Sequence, residues 1–383
     1  MEETILNRKD LKLMTELQKK NGFDHYRVIT SACQKESGQE RVFYFEFYII
    51  NNTLSPEECV LGYKSRFEKT AEDLQYALTG TLAQQNVSKE IFVTPSYLMV
   101  KAGVFGKNGK SVNRFVPMCK VELGKKNFSI VTSKGEACEC GLTSDSCYGI
   151  VDVNRIELAN HPEYLCQSGK IVWNLKFENF ADIQPTAASK TSEWTLINGN
   201  LALNGKIELD DEEYIVKSSN CYGYFERSCG KEMEAPYFHL NSNNFISQIT
   251  GQSLKNSYFA VQGEFNHNIS VVMNLEGNEY QFMNNDSSVE IHYNCTQMPT
   301  DEEEVYKVHW AVSVSSKKYI VDIDFFGKSD EMYLRDYESP LGKRKLMKIL
   351  CGNGSGTLRF YKKLKSNLET MEDVEISSCV CEF

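Results

Sequence analysis

The sequence predicts an all-β protein with two antiparallel β-barrel or β-sandwich domains and one helix near the N-terminus. Two observations carry this prediction. Segments of alternating apolar and polar residues recur through the second half of the chain at hairpin spacing, without helical patterns between them. Each half of the chain is also predicted to contain roughly eight strands, which is about the number in one small closed barrel.

The N-terminal helix is predicted from an apolar stripe. Leu11, Met14 and Leu17 recur at helical spacing, so that they share one face. Asn7 is a suitable N-cap, and Gly22 is a suitable C-cap. We expect this helix to pack on the core of the first domain.

Strand patterns dominate the remainder of the first half. Residues 25–33 and 42–50 are predicted to form a hairpin, and residues 171–177 form one of the clearest strands of the chain. An asparagine-glycine turn at 106–109 predicts a further hairpin. A short helix is expected within 64–78.

Glu46 lies among aromatic residues in the strand at 42–50. An acid in such a strand is either functional or paired with a basic neighbour. Pairing is the commoner case, because a buried charge needs a partner.

The second half reads as a series of hairpins. Residues 201–209 are predicted to pair with 214–217, and residues 258–265 with 269–275. The stretch 182–193, which contains Pro185 and several small polar residues, is the best candidate for a linker. We therefore predict an N-terminal domain over 1–185 and a C-terminal domain over 195–383.

Composition and charge narrow the class of protein. The chain has 383 residues, 41% apolar and 25% charged, which are globular values. A formal charge of -10 argues against nucleic acid as a partner. We find no apolar run of the ~20 residues that span a bilayer, and no signal peptide. A cytoplasmic protein without an integral membrane segment is expected.

The thirteen cysteines indicate core packing in a reducing compartment. Cys138, Cys140 and Cys147 could bind a metal, but the spacing usual in zinc sites is absent. Cys379 and Cys381 lie two apart in a predicted strand and share one face. We predict no metal and no cofactor.

The glycine-rich run at 352–356 resembles a phosphate loop only superficially. A phosphate loop opens a helix, whereas the following residues predict a strand. The run is interpreted as a glycine-rich turn.

Residues 222–245 form the candidate ligand pocket. The stretch combines six aromatic side chains with acidic, imidazole and amide groups. Apolar walls with a few convergent polar groups are typical of small-molecule sites. Two ordinary strands joined by a charged hairpin are the alternative. The candidate site residues are Tyr222, Tyr224, Glu226, Ser228, Cys229, Tyr237, His239, Asn241, Asn243 and Phe245.

This stretch resembles a segment of the tocopherol cyclases, a family similar to the carotenoid 1,2-hydratases. Glu226, Gly230, Tyr237, Asn243 and Phe245 match the family's spacing without gaps. The chain departs from the family where Ser228-Cys229 replaces Asp-Trp and Met233-Glu234 replaces Phe-Pro. A weaker match continues through His309-Trp310, Tyr319-Ile320-Val321 and Gly354-Ser355-Gly356.

The resemblance implies a lipocalin-like fold and the protonation of an alkene without a cofactor. The family's proton donor is expected at the position of Ser228, and a serine cannot replace it. Burial beside Tyr224 raises a carboxyl pKa, so Glu226 is the substitute acid that we expect, with His239 as a proton relay. Alternatively, Glu226 is a surface residue that pairs with Arg227 or Lys231.

The function predicted first is that of a tocopherol cyclase-like enzyme. It would act on an apolar prenylated or polycyclic molecule by proton-initiated cyclisation, hydration or isomerisation. A non-catalytic protein that binds an apolar ligand on the same fold is the alternative, and a carbohydrate-binding β protein is a distant third. Stereospecific turnover, binding without turnover and affinity for sugars would distinguish the three.

Overall fold

The computed structural model describes most of the chain. The described residues are 21–62, 94–124, 128–133, 138–178, 184–188, 192–219, 221–233, 237–264, 267–301, 305–342 and 346–383. Almost all of the predicted N-terminal helix and the predicted helix within 64–78 lie outside these ranges.

The first sheet contains fourteen strands of the described residues, all antiparallel to their neighbours. The strands are β1 (Phe23–Gln34), β2 (Glu40–Ile50), β3 (Tyr97–Val104), β4 (Lys110–Val116), β5 (Val121–Leu123), β6 (Ser129–Thr132), β7 (Cys140–Thr143), β8 (Ser146–Val153), β9 (Gly169–Phe177), β10 (Gln184–Ala188), β11 (Ser192–Asn198), β12 (Leu203–Leu209), β13 (Glu212–Val216) and β14 (Gly223–Gly230). The long strand β1 pairs with β2 along one edge and with β13 and β14 along the other.

The second sheet contains eleven strands of the described residues. They are β15 (Tyr237–Ser242), β16 (Phe245–Ser247), β17 (Tyr258–Glu264), β18 (His267–Leu275), β19 (Asn278–Met283), β20 (Val289–Pro299), β21 (Tyr306–Ser316), β22 (Tyr319–Lys328), β23 (Tyr333–Glu338), β24 (Leu346–Lys363) and β25 (Leu368–Glu382). The prediction of an all-β fold with two barrel-like antiparallel sheets is thus confirmed.

Helical structure is sparse in the described residues. The α-helix α1 (Arg155–Asn160) begins where the side chain of Asn154 accepts a hydrogen bond from the backbone N–H of Glu157. Single 3₁₀ turns occur at Met118–Lys120, Pro162–Tyr164 and Ser329–Glu331. No helix in the described part of the chain is long and apolar enough to cross a membrane.

The predicted linker at 182–193 is wrong in its described part. Strand β10 pairs with β11, and β11 pairs with β14, so this stretch belongs to the first sheet. Pro185 is tolerated because β10 is the last strand on its side of the sheet, where one edge needs no N–H donor. Sheet membership changes later, between Gly230 and Tyr237. The division into domains 1–185 and 195–383 remains a prediction.

Each sheet encloses its own apolar core. Val28, Phe45 and Trp173 are among the buried residues of the first core, and Phe259, Trp310 and Phe325 are among those of the second. In each strand the alternate residues point away from that core. In β1, β2 and β14 these alternate residues contact the second sheet, and this contact contains the candidate site.

Candidate functional site

The two sheets meet through two mixed aromatic and aliphatic clusters. The Trp194 cluster consists of Ile29, Val42, Tyr44, Phe105, Trp194, Leu196, Tyr222, Tyr224, Tyr258, Ala260, Val272, Cys351 and Val380. The Tyr337 cluster consists of Phe23, Tyr48, Ile50, Leu61, Tyr97, Met99, Met233, Tyr337 and Ile349. Both combine side chains of the two sheets. Charged groups at this contact therefore lie in apolar surroundings.

One polar row crosses the first sheet at the contact. Asn113, Lys101, Glu46, Arg27 and Glu226 are register partners on the adjacent strands β4, β3, β2, β1 and β14. Register partners place their side chains on the same face of a sheet. All five are buried, and the charges alternate in sign along the row.

A second polar row crosses the facing sheet. Gln262, His239, Glu382, Cys351 and Tyr333 are register partners on β17, β15, β25, β24 and β23. Each strand contributes one residue to the row, so the row follows from the antiparallel register of the strands.

Arginines join the two rows. Nε of Arg27 donates to Oε1 of Glu226 over 2.6 Å, and its Nη1 donates to Oε1 of Glu382 over 2.6 Å. Arg335, which is fully buried, donates to both Glu46 and Glu382. We call Arg27, Glu46, Lys101, Glu226, His239, Arg335 and Glu382 the interface network. Its three carboxylates are balanced by two guanidinium groups and one ammonium group, as burial of ions requires.

Glu226 is an ionised acceptor rather than a neutral acid. Besides Arg27, Nε1 of Trp194 and the hydroxyl of Tyr224 donate to its Oε2, over 2.7 and 2.8 Å. Burial raises the pKa of Glu226, but Arg27 and these donors outweigh burial and lower it to about 2. The sequence-based expectation of a raised pKa was wrong, because Arg27 comes from a strand that is distant in sequence. Pairing with Arg227 was wrong too, since Arg227 binds Asp24 over 2.7 Å.

His239 lies beside Glu226, with Nε2 3.7 Å from Oε2 of the carboxylate. Nδ1 lies 2.5 Å from Oε1 of Gln262, and Nε2 lies 2.6 Å from Nδ2 of Asn241. Burial lowers the pKa of His239, with Arg27 adding to this and Glu226 opposing it. The ring is therefore neutral at pH 7. Its partners assign the proton to Nδ1 and leave Nε2 as an acceptor.

Three further predicted residues lie at the same place. The hydroxyl of Tyr222 donates to the backbone carbonyl of Asn241 over 3.0 Å, and both residues are buried. Tyr222 and Tyr224 belong to the Trp194 cluster. The structure thus brings Tyr222, Tyr224, Glu226, His239 and Asn241 together at the contact of the two sheets.

The other predicted residues are distributed differently. Ser228 shares its strand face with Glu226 and is half-buried. Asn243 holds a loop, because its Nδ2 donates to Asn200 and to the carbonyl of Gly223, each over 3.0 Å. Tyr237 begins β15, but its side chain lies outside the described part of the structure.

Cys229 and Phe245 do not face the contact between the sheets. Cys229 is one residue from Ser228 along β14 and therefore lies on the opposite face. Burial raises the pKa of its thiol to about 12. Phe245 is buried in the second core against Phe259. The structure therefore does not bring these two together with Glu226, because closeness in sequence does not distinguish the faces of a strand. Their role in substrate binding stays a prediction.

Several residues of the interface network were missed by sequence reasoning. Arg27 within the predicted strand at 25–33 was the available signal, since a buried charge requires partners. Nothing in the sequence indicated that Arg335 and Glu382 would reach it. The expectation that Glu46 pairs with a basic residue is confirmed by Arg335.

A separate groove lies on the outer face of the second sheet, with a volume of about 1090 Å³. Residues 353–356 of the glycine-rich run line this groove. The run lies within β24, so its interpretation as a turn was wrong. Lys307, Lys328 and Arg359 balance the acidic residues of the groove. None of the predicted site residues lines it.

The fold and the site define a two-sheet antiparallel β protein with a buried, charge-balanced interface network. No protein-family model and no curated protein sequence matches the chain. Among solved structures it is similar to a protein described as AttH from Nitrosomonas europaea, with 8% identity, 98% of each chain covered and a TM-score of 0.45.

Two further solved structures are similar to this chain. CghA with Sch210972 has 9% identity and a TM-score of 0.45. Kievitone hydratase from Nectria haematococca has 6% identity and a TM-score of 0.40. In each case 94% of this chain and 88% of the other are covered. At this level of similarity, the three structures inform neither the activity nor the ligand of the protein.

Proposed function

We propose that the protein binds an apolar prenylated or polycyclic small molecule between its two sheets, beside the Trp194 cluster. The observation that carries this proposal is Oδ1 of Asn241, which is fully buried and has no hydrogen-bond partner within the described residues. An unsatisfied buried acceptor costs about 1–3 kcal/mol. A ligand that donates a hydrogen bond to this oxygen removes that cost.

The neighbours of Asn241 define the chemistry of the ligand. Nδ2 already donates to Nε2 of His239, whereas Oδ1 has no partner within the described residues, so a hydrogen-bond donor on the ligand is favoured. Its register partners Ala260 and Val380 belong to the Trp194 cluster, which supplies an apolar and aromatic wall. A hydroxyl group on an apolar or aromatic body fits these surroundings, and a prenylated hydroquinone has both features.

Binding without turnover is the function that the charge of Glu226 favours. With a pKa of about 2, only about one Glu226 in 10⁵ is protonated at pH 7. Protonation of an alkene needs an acid that is neutral at that pH. Glu226 instead orients Tyr224 and Trp194 by accepting their hydrogen bonds.

The cyclase-like enzyme is the second candidate. It is supported by the contact of Glu226 with both Tyr224 and His239, and by Ser228 on the same strand face. Ser228→Asp tests it by placing a carboxyl where the resembled family has its acid. A gain of cyclisation of a prenylated hydroquinone supports this candidate, and no gain speaks against it.

The binding proposal is tested by tryptophan fluorescence titration with a prenylated hydroquinone and with its dimethyl ether. The ether lacks the hydrogen-bond donor but keeps the shape. We expect the hydroquinone to bind about 10-fold more tightly, which corresponds to about 1.4 kcal/mol for one hydrogen bond.

The matched variants are Asn241→Leu and Asn244→Leu. The first removes the acceptor and should abolish the preference for the hydroquinone. The second replaces an amide that bonds Ser377 at the surface and should leave the preference intact. Equal affinity of the protein for both ligands would contradict the proposal.

A further inference from the structure

Lys101 is a buried amine at the end of the interface network opposite to Glu226. It lies on β3, fully buried, between its register partners Glu46 and Asn113. Nζ donates to the backbone carbonyl of Asp336 over 3.1 Å and lies 4.4 Å from the ring centre of Tyr337. Three strand spacings of ~4.8 Å separate β3 from β14, or about 14 Å.

The position of β23 brings this amine close to the surface. Among the described strands, β23 pairs with β24 alone, so Lys101 bonds a carbonyl of an edge strand. The side chain of Asp336 is 13% exposed and pairs with Lys348, which is 58% exposed, over 3.0 Å. Nζ of Lys101 thus lies at the seam between β23 and the first sheet, against the backbone of an edge strand.

Two groups with unused hydrogen-bonding capacity lie at paired positions of the adjacent strands β3 and β4. Nζ of Lys101 donates one hydrogen bond within the described residues, of the three that an ammonium can donate. On the next strand, Oδ1 of Asn113 is buried without a partner in the described part of the chain, while its Nδ2 is held by the carbonyl of Tyr164. Unused buried donors and acceptors of this kind suit a polar group of a ligand.

Lys101 also differs from surface lysines in its charge state. Burial lowers its pKa to about 8, with Arg335 adding to this effect and Glu46 opposing it. About a tenth of the amine is therefore neutral at pH 7, compared with about one in 2,500 for an ordinary lysine. A neutral amine is the nucleophilic form.

We propose that Lys101 is an imine-forming amine whose partner is a small aldehyde or ketone that enters along the β23 seam. The neutral nitrogen attacks the carbonyl carbon, and the carbonyl oxygen takes up a proton to become the hydroxyl of a carbinolamine. Loss of this hydroxyl as water leaves an iminium ion on Lys101. Counting from the ammonium form, ammonium and carbonyl give iminium and water, so atoms and charge balance.

The neighbours of Lys101 support each stage of this condensation. Oδ1 of Asn113 can accept a hydrogen bond from the hydroxyl group of the carbinolamine. The carboxylate of Glu46, the register partner of Lys101, balances the positive charge of the iminium. The site takes a different ligand at a different position from the binding site beside Asn241, so it does not depend on that proposal.

The test is reductive trapping of the unmodified protein with benzaldehyde and sodium cyanoborohydride at a series of pH values between 6 and 10. Peptide mapping by mass spectrometry then locates and quantifies the labelled lysines. Cyanoborohydride supplies the hydride that converts the iminium to a stable secondary amine. At pH 7 we expect Lys101 to be labelled at least 10-fold faster than Lys206, whose side chain is 66% exposed. Labelling of Lys101 should reach half of its maximum near pH 8 and level off by about pH 9.

Asn113→Asp is the matched variant. A new carboxylate beside Lys101 stabilises the ammonium form and should shift the labelling profile of Lys101 to higher pH, while the labelling of Lys206 stays as in the unmodified protein. Lack of labelling at Lys101 while Lys206 is labelled would overturn the proposal. Labelling of Lys101 that still rises steeply at pH 10 would overturn it as well.

Discussion

Replacement of Arg27 by methionine probes the interface network most sharply. Methionine retains much of the volume of the arginine stem but removes the guanidinium group. Glu226 and Glu382 would then lose their shared cation while remaining buried. Breaking a buried ion pair in this way costs about 3–5 kcal/mol, because an uncompensated charge remains.

The depressed pKa of Glu226 corresponds to a stabilisation of the folded protein of similar magnitude. It falls from an ordinary value of 4.5 to about 2 in the folded protein. A shift of ~2.5 units at ~1.36 kcal/mol per unit corresponds to about 3 kcal/mol. Because the folded pKa is depressed, this stabilisation is present above the ordinary pKa and is lost as the pH falls through about 2. The destabilisation of Arg27→Met should therefore be full at pH 7 and smaller at pH 4.

Urea denaturation at pH 7 and at pH 4 measures this effect as a change in the free energy of unfolding. Arg359→Met is the matched control, since Arg359 and Asp373 are 3.7 Å apart, with side chains 49% and 36% exposed. Such surface pairs contribute at most about 1 kcal/mol. Equal stability of the two variants at pH 7 would refute the view that Arg27 holds the network together.

Three further outcomes are expected. Phe245→Ala should lower the free energy of unfolding by about 3–5 kcal/mol in urea denaturation while leaving ligand affinity unchanged, because Phe245 lies in the second core; weaker binding would contradict this. In iodoacetamide alkylation at pH 8 followed by mass spectrometry, Cys229 should stay unmodified while the exposed Cys33 reacts, since burial raises the pKa of Cys229 to about 12. Gly356→Ala should be destabilising by several kcal/mol, because a Cβ there would lie 1.8 Å from the carbonyl oxygen of Asp324 on the paired strand; wild-type stability would contradict the close pairing of β22 and β24.

Most of the sheet structure could be predicted from local patterns. The hairpin of β12 with β13 and that of β17 with β18 lie where alternation and turn residues placed them. Local patterns did not reveal which sheet a strand joins. The stretch around Pro185 reads as a linker because proline and small residues are typical of loops, yet it pairs at the end of the first sheet.

The candidate site could be predicted in part. Glu226 and His239 were expected to lie together because the aromatic stretch required a shared pocket, and the structure brings them to 3.7 Å. The charge of Glu226 could not be predicted, since it depends on Arg27, 199 residues away in sequence. The same limit applies to Lys101, because its burial depends on β23 of the other sheet.

Incubation of the protein and of Glu226→Gln with a prenylated hydroquinone, followed by chromatography and mass spectrometry, tests the central claim most directly. Glutamine keeps the shape of the side chain but cannot donate a carboxyl proton. An ionised Glu226 predicts that both proteins bind the hydroquinone and return it unchanged. Formation of a cyclised or hydrated product by the protein, with a loss of about 10²-fold or more in Glu226→Gln, would contradict this account and identify Glu226 as the acid of an enzyme.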